Sequence, residues 1–185
     1  MTNPIVVVDY DPSWPVAFAA VCAVLETALA GVPVIGIEHV GSTSVLGLAA
    51  KPIIDIDVIV DRSHVDAAAS ALESVGYAPL GDMGVADRYA FKAPNEVIRH
   101  NTYVIVDGCL SLRNHLGLRE VLRGDPELRD EYSSVKRRLA LMTDDIDVYG
   151  DGKTNVVRRV LACAGLTSHE LDEIEASNRI CTTSM

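Results

Sequence analysis

The apolar positions in roughly the first hundred residues follow the two-residue alternation and the short continuous runs that are typical of β-strands. Strand patterns of this kind cover residues 34–40, 53–60, 77–80, 88–92 and 97–106. Pro94-Asn95 separates the last two runs and predicts a hairpin there. Residues 5–8 are also apolar and predict a short strand or an extended arm.

Apolar residues that recur at helical spacing predict helices before, between and after these strands. The predicted helices cover residues 14–30, 63–75, 110–123, 125–142, 152–164 and 169–177. Ser13 is the expected cap of the first helix. The pattern therefore predicts one α+β domain over 1–177, with a small mixed sheet over about 1–108, flanked by helices, and a helical half over about 109–177. Residues 178–185 are expected to form a flexible tail.

Length, charge and cysteine spacing narrow the class of protein. A chain of 185 residues with 49% hydrophobic residues can bury a core of its own. Its net charge of −10 disfavours broad binding to nucleic acid, which needs a basic surface. The apolar runs are too short to cross a bilayer, and the pattern of a secretory signal is missing, so we expect a cytoplasmic protein without a membrane partner. The four cysteines are widely separated and lack metal-binding spacing.

Asp55 and Asp57 are the charged residues within the apolar run 53–60. Side chains alternate along a strand, so the two carboxylates share one face at a spacing of about 7 Å. Burial on that face would raise the pKa of both carboxylates, and they would repel each other. A divalent cation removes both penalties, and Mg²⁺, or Mn²⁺ in its place, accepts such carboxylates together with water and phosphate oxygens. The alternative is a strand end at which both aspartates face water.

The turn that precedes this strand favours an anion. Gly41 allows close approach of a ligand to the backbone, and Ser42, Thr43 and Ser44 offer hydroxyl and N–H groups at a predicted helix start. Twelve residues, 43–54, separate Ser42 from Asp55. Together the turn and the aspartates predict a site for a nucleoside triphosphate, in which the turn holds phosphate and the carboxylates hold the metal. Taken alone, the turn could be an ordinary tight turn.

The turn followed by the D-x-D strand resembles the nucleotidyltransferase superfamily, which includes polymerase-β-like and aminoglycoside-modifying enzymes. More closely, EHVGSTSVLGLAAKPIIDI at 38–56 is similar to the GrpB family, a branch of that superfamily. The resemblance extends over YDPSWP at 10–15, LREVLRGDPE at 118–127, EYSSVKRRLA at 131–140 and the segment from Tyr149 to Lys153. It implies a sheet of nucleotidyltransferase type with Mg²⁺ and ATP, or another nucleoside triphosphate, as ligands.

The neighbouring strand departs from the superfamily pattern. Polymerase-like nucleotidyltransferases commonly carry a third carboxylate on a strand beside the D-x-D strand, whereas the run 97–106 has Glu96 and Asp107 only at its ends. His100 stands in this strand, as in the GrpB pattern. Either the metal site has two carboxylates, or His100 serves as a ligand or as a general base. The structural alternative is a histidine that only makes hydrogen bonds.

Basic residues complete the expected site. Arg119, Lys136 and Lys153 match GrpB motif positions, and Lys51 lies in the connector before the D-x-D strand. Cations are needed to neutralise phosphate oxygens and the departing pyrophosphate, so we expect these side chains to bind the nucleotide. A solvated loop lysine is the alternative for Lys51.

Three functions remain open at this point. The first is Mg²⁺-dependent transfer of a nucleotidyl group from ATP or another nucleoside triphosphate to a small-molecule acceptor, directly or through acyl-adenylate ligation. The second is a non-catalytic nucleotide-binding or accessory module, related to the domain fused to dephospho-CoA kinase in some bacteria. The third, modification of tRNA or protein, is disfavoured by the acidity of the chain.

Overall fold

A five-stranded mixed sheet is the centre of the fold in the computed structural model, which describes residues 4–95 and 97–183 and the side chains up to residue 177. Its strands are β1 (Val34–Val40), β2 (Ile54–Val60), β3 (Ala78–Gly81), β4 (Arg88–Lys92) and β5 (His100–Val106). Their order across the sheet is β1-β2-β5-β4-β3. The β2–β5 pair is parallel, and the other three pairs are antiparallel. The predicted mixed sheet and the hairpin between β4 and β5 are thereby confirmed.

Seven helices cover the sheet in the described part of the chain. They are α1 (Trp14–Ala28), α2 (Val65–Ser74), α3 (Leu110–Gly124), α4 (Pro126–Met142), α5 (Ile146–Asp151), α6 (Thr154–Cys163) and α7 (Ser168–Thr183). Five of them follow residue 108, so the expected helical second half is present and the fold class is α+β. No helix within residues 4–95 and 97–183 combines the length and the apolar character that crossing a membrane would require.

Several boundaries differ from the predictions. The short helix α5 was not expected, and α7 runs to Thr183, past the predicted end at 177, so most of the expected tail is helical. Ser184 and Met185 lie outside the described residues, as does Glu96. Ser13 stands at the cap position of α1 without a capping hydrogen bond from its side chain; its backbone N–H instead donates to Asp11 Oδ1 at 2.8 Å.

The two faces of the sheet have different cores. Ile54, Ile56 and Val58 of β2 point to one face, where they pack with apolar residues of α1 and α2. On the other face, Ile59 and Ile105 pack against Leu112 of α3. Because side chains alternate, this second face is also the one to which Asp55 and Asp57 project.

The connector between β1 and β2 is held from two sides. Val8 and Ala50 exchange two backbone hydrogen bonds of 2.9 and 3.0 Å, so the expected N-terminal arm is an extended segment that pairs with this connector. From the other side, Ser133 Oγ of α4 accepts a hydrogen bond from the Ala49 N–H at 3.2 Å. These contacts fix the backbone on which Lys51 stands.

Candidate functional site

The predicted aspartates lie in a row of polar side chains that crosses three strands. In the strand register, Asp57 is opposite Glu38 of β1, and Asp55 is aligned with Asn101 of β5. Asn101 Nδ2 donates a hydrogen bond of 2.8 Å to Asp55 Oδ1, so Asn101 stands in β5 beside the first aspartate. An amide rather than a carboxylate therefore stands beside Asp55 on the neighbouring strand.

Asp57 is completely buried and contacts α3. His115 Nδ1 donates to Asp57 Oδ2 at 2.8 Å, whereas Asp57 Oδ1 has no hydrogen-bond partner among the residues that the structure describes. One helical turn later, Arg119 donates to Glu38 Oε2 at 2.7 Å and to the His39 carbonyl at 2.8 Å. Positions 115 and 119 share one face of α3, so this helix binds a carboxylate on each of two adjacent strands.

Gly41 makes room for the carboxylate of Asp55. Its φ of +68° lies in the left-handed region, and a Cβ atom added to it would overlap Asp55 Oδ2. The Asp55 carboxylate therefore rests against the backbone of the turn. Burial raises the pKa of Asp55, and the nearby Asp57 adds to that effect, while the hydrogen bond from Asn101 opposes it.

The serine and threonine hydroxyls of the turn point in different directions. Thr43 is buried; its Oγ1 donates to the Ile53 carbonyl at 3.3 Å and lies 3.0 Å from His39 Nε2. Ser44 Oγ donates to the Gly41 carbonyl at 2.7 Å. Only Ser42 turns towards the lysines, because its Oγ accepts a hydrogen bond of 2.9 Å from Lys136 Nζ. Thr43 and Ser44 therefore hold the shape of the turn.

A cavity of about 280 Å³ opens where the turn, the connector, β2, β5 and the C-terminal helices meet. Its lining side chains and backbone belong to Gly41, Ser42, Lys51, Ile53, Asp55, Asn101, Leu118, Tyr132, Lys136, Tyr149 and Lys153. Three of these residues are lysines, and none of them forms an ion pair within 4.0 Å with a carboxylate of the described residues. The three lysines of the cavity thus have no close counterion among the residues that the structure describes.

Burial has lowered the pKa of all three lysines. The pKa of Lys136 falls to about 6, because the side chain is desolvated and Lys153 and Arg137 add positive charge nearby. The pKa of Lys153 falls to about 8, chiefly through burial and then through repulsion from Lys51, whereas Asp55 raises it. An anion in the cavity would reverse these shifts by favouring the ammonium forms.

Two tyrosines hold the lysines in place through their ring faces. Lys136 Nζ lies 4.4 Å from the centre of the Tyr132 ring, and Lys153 Nζ lies 4.5 Å from that of Tyr149. Lys51 approaches the Tyr149 ring at 5.7 Å. Burial raises the pKa of Tyr149 to about 12 and also raises that of Tyr132, so both phenols stay neutral near pH 7.

The structure brings together six of the predicted site residues around this cavity. They are Gly41, Ser42, Lys51, Asp55, Lys136 and Lys153. Asp57 lies behind Asp55 in the same strand, where His115 covers it. Arg119 does not line the cavity, and its charge is taken up by Glu38 and Glu120. The expectation that Arg119 binds phosphate therefore has no support from its position.

His100 lies on the wrong face of the sheet for the expected role. It precedes Asn101 in β5, so its side chain projects to the opposite face, away from the aspartates. There its Nε2 is 2.9 Å from the Tyr77 hydroxyl, and its Nδ1 is 2.7 Å from the Ile98 carbonyl. Both ring nitrogens have partners, and His100 is corrected from a site residue to a residue that joins β5 to the segment after α2.

Sequence reasoning missed Glu38, Asn101, His115 and the two tyrosines. Asn101 could have been found from the alternation along β5, once the pairing of that strand with β2 was known. His115 and Arg119 have the four-residue spacing of one helix face, but the sequence does not tell which sheet residues that face will meet.

The aspartates offer a metal ion two carboxylates rather than a complete set of protein ligands. No group of three or more His, Cys, Asp or Glu side chains is arranged to hold a metal ion in residues 4–95 and 97–183. Mg²⁺ commonly binds through one or two carboxylates and completes its shell with water and phosphate oxygens. Asp57 Oδ1 is buried and has no hydrogen-bond partner within the described residues. Together with the neighbouring Asp55, it is suited to binding Mg²⁺ through two carboxylates.

Comparisons with known proteins find bacterial relatives of the chain. A family model described as GrpB protein matches residues 4–162. A UPF0157 protein from Halalkalibacterium halodurans is 35% identical over 166 residues, covering 88% of this chain and 84% of that protein. The crystal structure of the conserved protein GrpB from Enterococcus faecalis has a TM-score of 0.75 at 29% identity, covering 92% of this chain and 99% of that chain. A dephospho-CoA kinase from Mycolicibacterium paratuberculosis is 29% identical over 174 residues, which are 79% of this chain and 42% of that protein.

Proposed function

The chain belongs to the GrpB family, and we propose that its lysine-lined cavity binds the polyphosphate of a nucleoside triphosphate for nucleotidyl transfer to a small-molecule acceptor. The observation that carries this proposal is the meeting of Lys51, Lys136 and Lys153 with Asp55 and the Gly41 turn around one cavity. Three lysines without close carboxylate partners in the described part of the chain are suited to a ligand that carries several negative charges.

The lysines and Asp55 of the cavity, and Asp57 behind it, each have a role in this proposal. Lys136, fixed between Ser42 and the Tyr132 ring, would bind phosphate at the turn, and Lys51 and Lys153 would bind it from the side of Tyr149. Asp55 and Asp57 would hold Mg²⁺ or Mn²⁺, which would offset the charge of the phosphate oxygens beside the carboxylates.

The proposed transfer is a single displacement at phosphorus. An oxygen or nitrogen of the acceptor forms a bond to the α-phosphorus, the bond from that phosphorus to the pyrophosphate oxygen breaks, and pyrophosphate leaves. The acceptor's proton passes to water. An acceptor that attacks through a carboxylate oxygen would give an acyl-adenylate by the same bond changes, which is the ligase form of the proposal.

Asp55→Asn tests the metal part of this proposal. We expect Mg²⁺ to strengthen the binding of ATP or GTP to the wild-type protein, and we expect Asp55→Asn to lose that enhancement, with affinity lower by about tenfold, because an amide lacks the charge that holds the cation. Calorimetric titration with and without Mg²⁺ measures both quantities. Asp66→Asn, an exposed aspartate in α2 on the far side of the sheet, is the matched control. A nucleotide affinity that changes neither with Mg²⁺ nor in Asp55→Asn would contradict the proposed metal site.

Lys136 should take up a proton when the cavity fills. Its pKa of about 6 leaves it mostly neutral at pH 7, and polyphosphate stabilises the ammonium form, so ligand binding should raise this pKa by at least about one unit. The ¹³Cε shift of Lys136, followed by NMR against pH with and without inorganic tripolyphosphate, reports the change. The signal is assigned by its absence in Lys136→Met. If tripolyphosphate does not shift the pKa of Lys136, phosphate does not bind at Ser42.

A non-catalytic nucleotide-binding or accessory module is the second candidate. The strand beside Asp55 presents the amide of Asn101 rather than a carboxylate, and no three-ligand metal cluster occurs in the described residues, which favours this candidate. The similarity to part of a dephospho-CoA kinase agrees with an accessory role. Pyrophosphate release from a nucleoside triphosphate that Asp57→Asn abolishes would decide in favour of the enzyme.

A further inference from the structure

A second cavity, of about 320 Å³, adjoins the first on the side of the C-terminal helices. Lys51, Tyr149 and Lys153 line both cavities, so these three side chains form the boundary between them. The volume lies at the lower end of the range for small-molecule sites. A ligand in the second cavity would therefore lie next to whatever the first cavity binds.

The walls of the second cavity are mainly apolar. Ile146 of α5, Val157 and Leu161 of α6, and Leu171 and Ile174 of α7 contribute to them. Such walls favour a ligand with an apolar body, because filling them removes apolar surface from water.

Arg88 brings a charge to this apolar cavity. Its guanidinium lies 4.8 Å from the centre of the Tyr103 ring, and its Nε is buried without a hydrogen-bond partner among the described residues. Arg158 also lines the cavity, but it donates to Asp172 at 2.8 Å and to Glu175 at 3.0 Å. Of these two arginines, Arg88 is the one whose side chain makes no ion pair in the part of the chain that the structure describes. A guanidinium that lines a cavity and makes no ion pair with the described residues is suited to a carboxylate, which can accept two parallel hydrogen bonds from two of its N–H groups.

We propose that the second cavity is the acceptor site and that the acceptor is a small amphipathic acid. Its carboxylate binds Arg88, its apolar body fills the space between α5, α6 and α7, and its hydroxyl or amine group faces Lys51, Tyr149 and Lys153. The role as acceptor depends on the proposed nucleotidyl transfer, but the binding of an acid does not. Because Arg88 holds the carboxylate, the hydroxyl or amine is the group that bonds to the α-phosphorus as pyrophosphate leaves.

Two probes that share an apolar body and differ in their polar end test the acid site. We expect 3-phenylpropionate to bind the wild-type protein at least about tenfold more tightly than 3-phenylpropan-1-ol, because both fill the apolar walls and only the acid pairs with the guanidinium. Titrations followed by ¹H–¹⁵N NMR measure both dissociation constants and show which amides respond. Equal affinities, or no response to either probe from the amides of α5, α6 and α7, would overturn the proposal.

Three variants test whether the preference for the acid over the alcohol arises in the second cavity. Arg88→Gln should bring the two affinities together, and Arg159→Gln, an exposed arginine of α6 that pairs with Glu131, should leave the preference intact. Ile146→Trp, at a half-exposed position on the cavity wall, should weaken both probes by filling the space. A preference that survives Arg88→Gln, or binding that Ile146→Trp leaves unchanged, would overturn the assignment.

A separate titration of Arg88→Gln with Mg²⁺ and ATP separates this inference from the proposed function. We expect ATP to bind this variant as it binds the wild type, because Arg88 does not line the first cavity. If the protein prefers the acid probe but binds no nucleotide, the proposed acid site stands and the proposed nucleotidyl transfer is refuted. Nucleotide binding without an acid preference would refute the acid site alone.

Discussion

Replacing Lys136 with methionine should make the protein more stable and, at the same time, a weaker binder of polyphosphate. Lys136 is almost completely buried, and its partners are a serine hydroxyl and an aromatic ring rather than a carboxylate. Lys136 is mostly neutral in the folded protein near pH 7 and protonated in the unfolded chain, so folding has to remove its proton. An apolar side chain of similar volume avoids that cost, and we expect a gain in stability of about 1–3 kcal/mol near neutral pH. Loss of one charge-assisted contact to phosphate should weaken tripolyphosphate binding by roughly 10- to 100-fold.

The stability gain should depend on pH in a defined direction. Burial lowers the pKa of Lys136 from 10.5 to about 6, so between these values the unfolded chain binds more protons than the folded protein, and wild-type stability rises with pH. Lys136→Met removes this contribution, so its advantage should be greatest towards pH 6 and shrink towards pH 10. Urea unfolding across that range, with exposed Lys92→Met as control, measures the difference. A variant that loses stability, or one that binds tripolyphosphate as well as wild type does, would contradict the assigned role.

His115→Leu should cause the largest loss of stability among these variants. It removes the hydrogen-bond partner that the structure gives to Asp57, whose carboxylate is completely buried. Removing the partner of a buried polar group leaves that group unsatisfied and costs about 1–3 kcal/mol, or more where the group is charged. We therefore expect the free energy of unfolding, measured by urea denaturation at pH 7, to fall by about that amount.

A second substitution distinguishes this explanation from simple loss of packing. The double variant His115→Leu/Asp57→Asn should recover much of the lost stability, because a buried amide costs less to desolvate than a carboxylate. His169→Leu, at an exposed position in α7, should have little effect. If the double variant is as unstable as His115→Leu alone, packing of the imidazole rather than its bond to Asp57 holds α3 on the sheet.

Local patterns in the sequence were sufficient for the strands and for the shared face of the aspartates. β1 and β4 have the predicted bounds, and Asp55 and Asp57 project to one side because alternation depends only on the strand itself. The orientation of His100 relative to Asp55 depends instead on how β5 pairs with β2, and a shift of one residue in that register exchanges the faces. The six-residue helix α5 is too short for a helical period to show in the sequence.

Long-range contacts decided which basic residues join the site. Arg119 and Lys136 both lie in conspicuous motifs of the C-terminal half, and their sequence neighbourhoods do not distinguish them. In the structure Arg119 donates a hydrogen bond to Glu38, which lies 81 positions earlier in the chain. Lys136 instead donates to Ser42 and contacts no carboxylate in the described part of the chain. A sequence pattern supplies the candidate cations, and only the packing of α3 and α4 shows which charges remain to be neutralised.

The pairing of Val8 with Ala50 connects the N-terminal segment to the wall of the lysine-lined cavity. Ala50 precedes Lys51, so the N-terminal segment acts as a strap across the peptide that carries one of the three cavity lysines. Trimming the chain past Val8 would release that strap without touching any residue of the cavity. We therefore expect variants shortened at this end to differ from the wild type in affinity for the proposed polyphosphate ligand while the sheet remains intact.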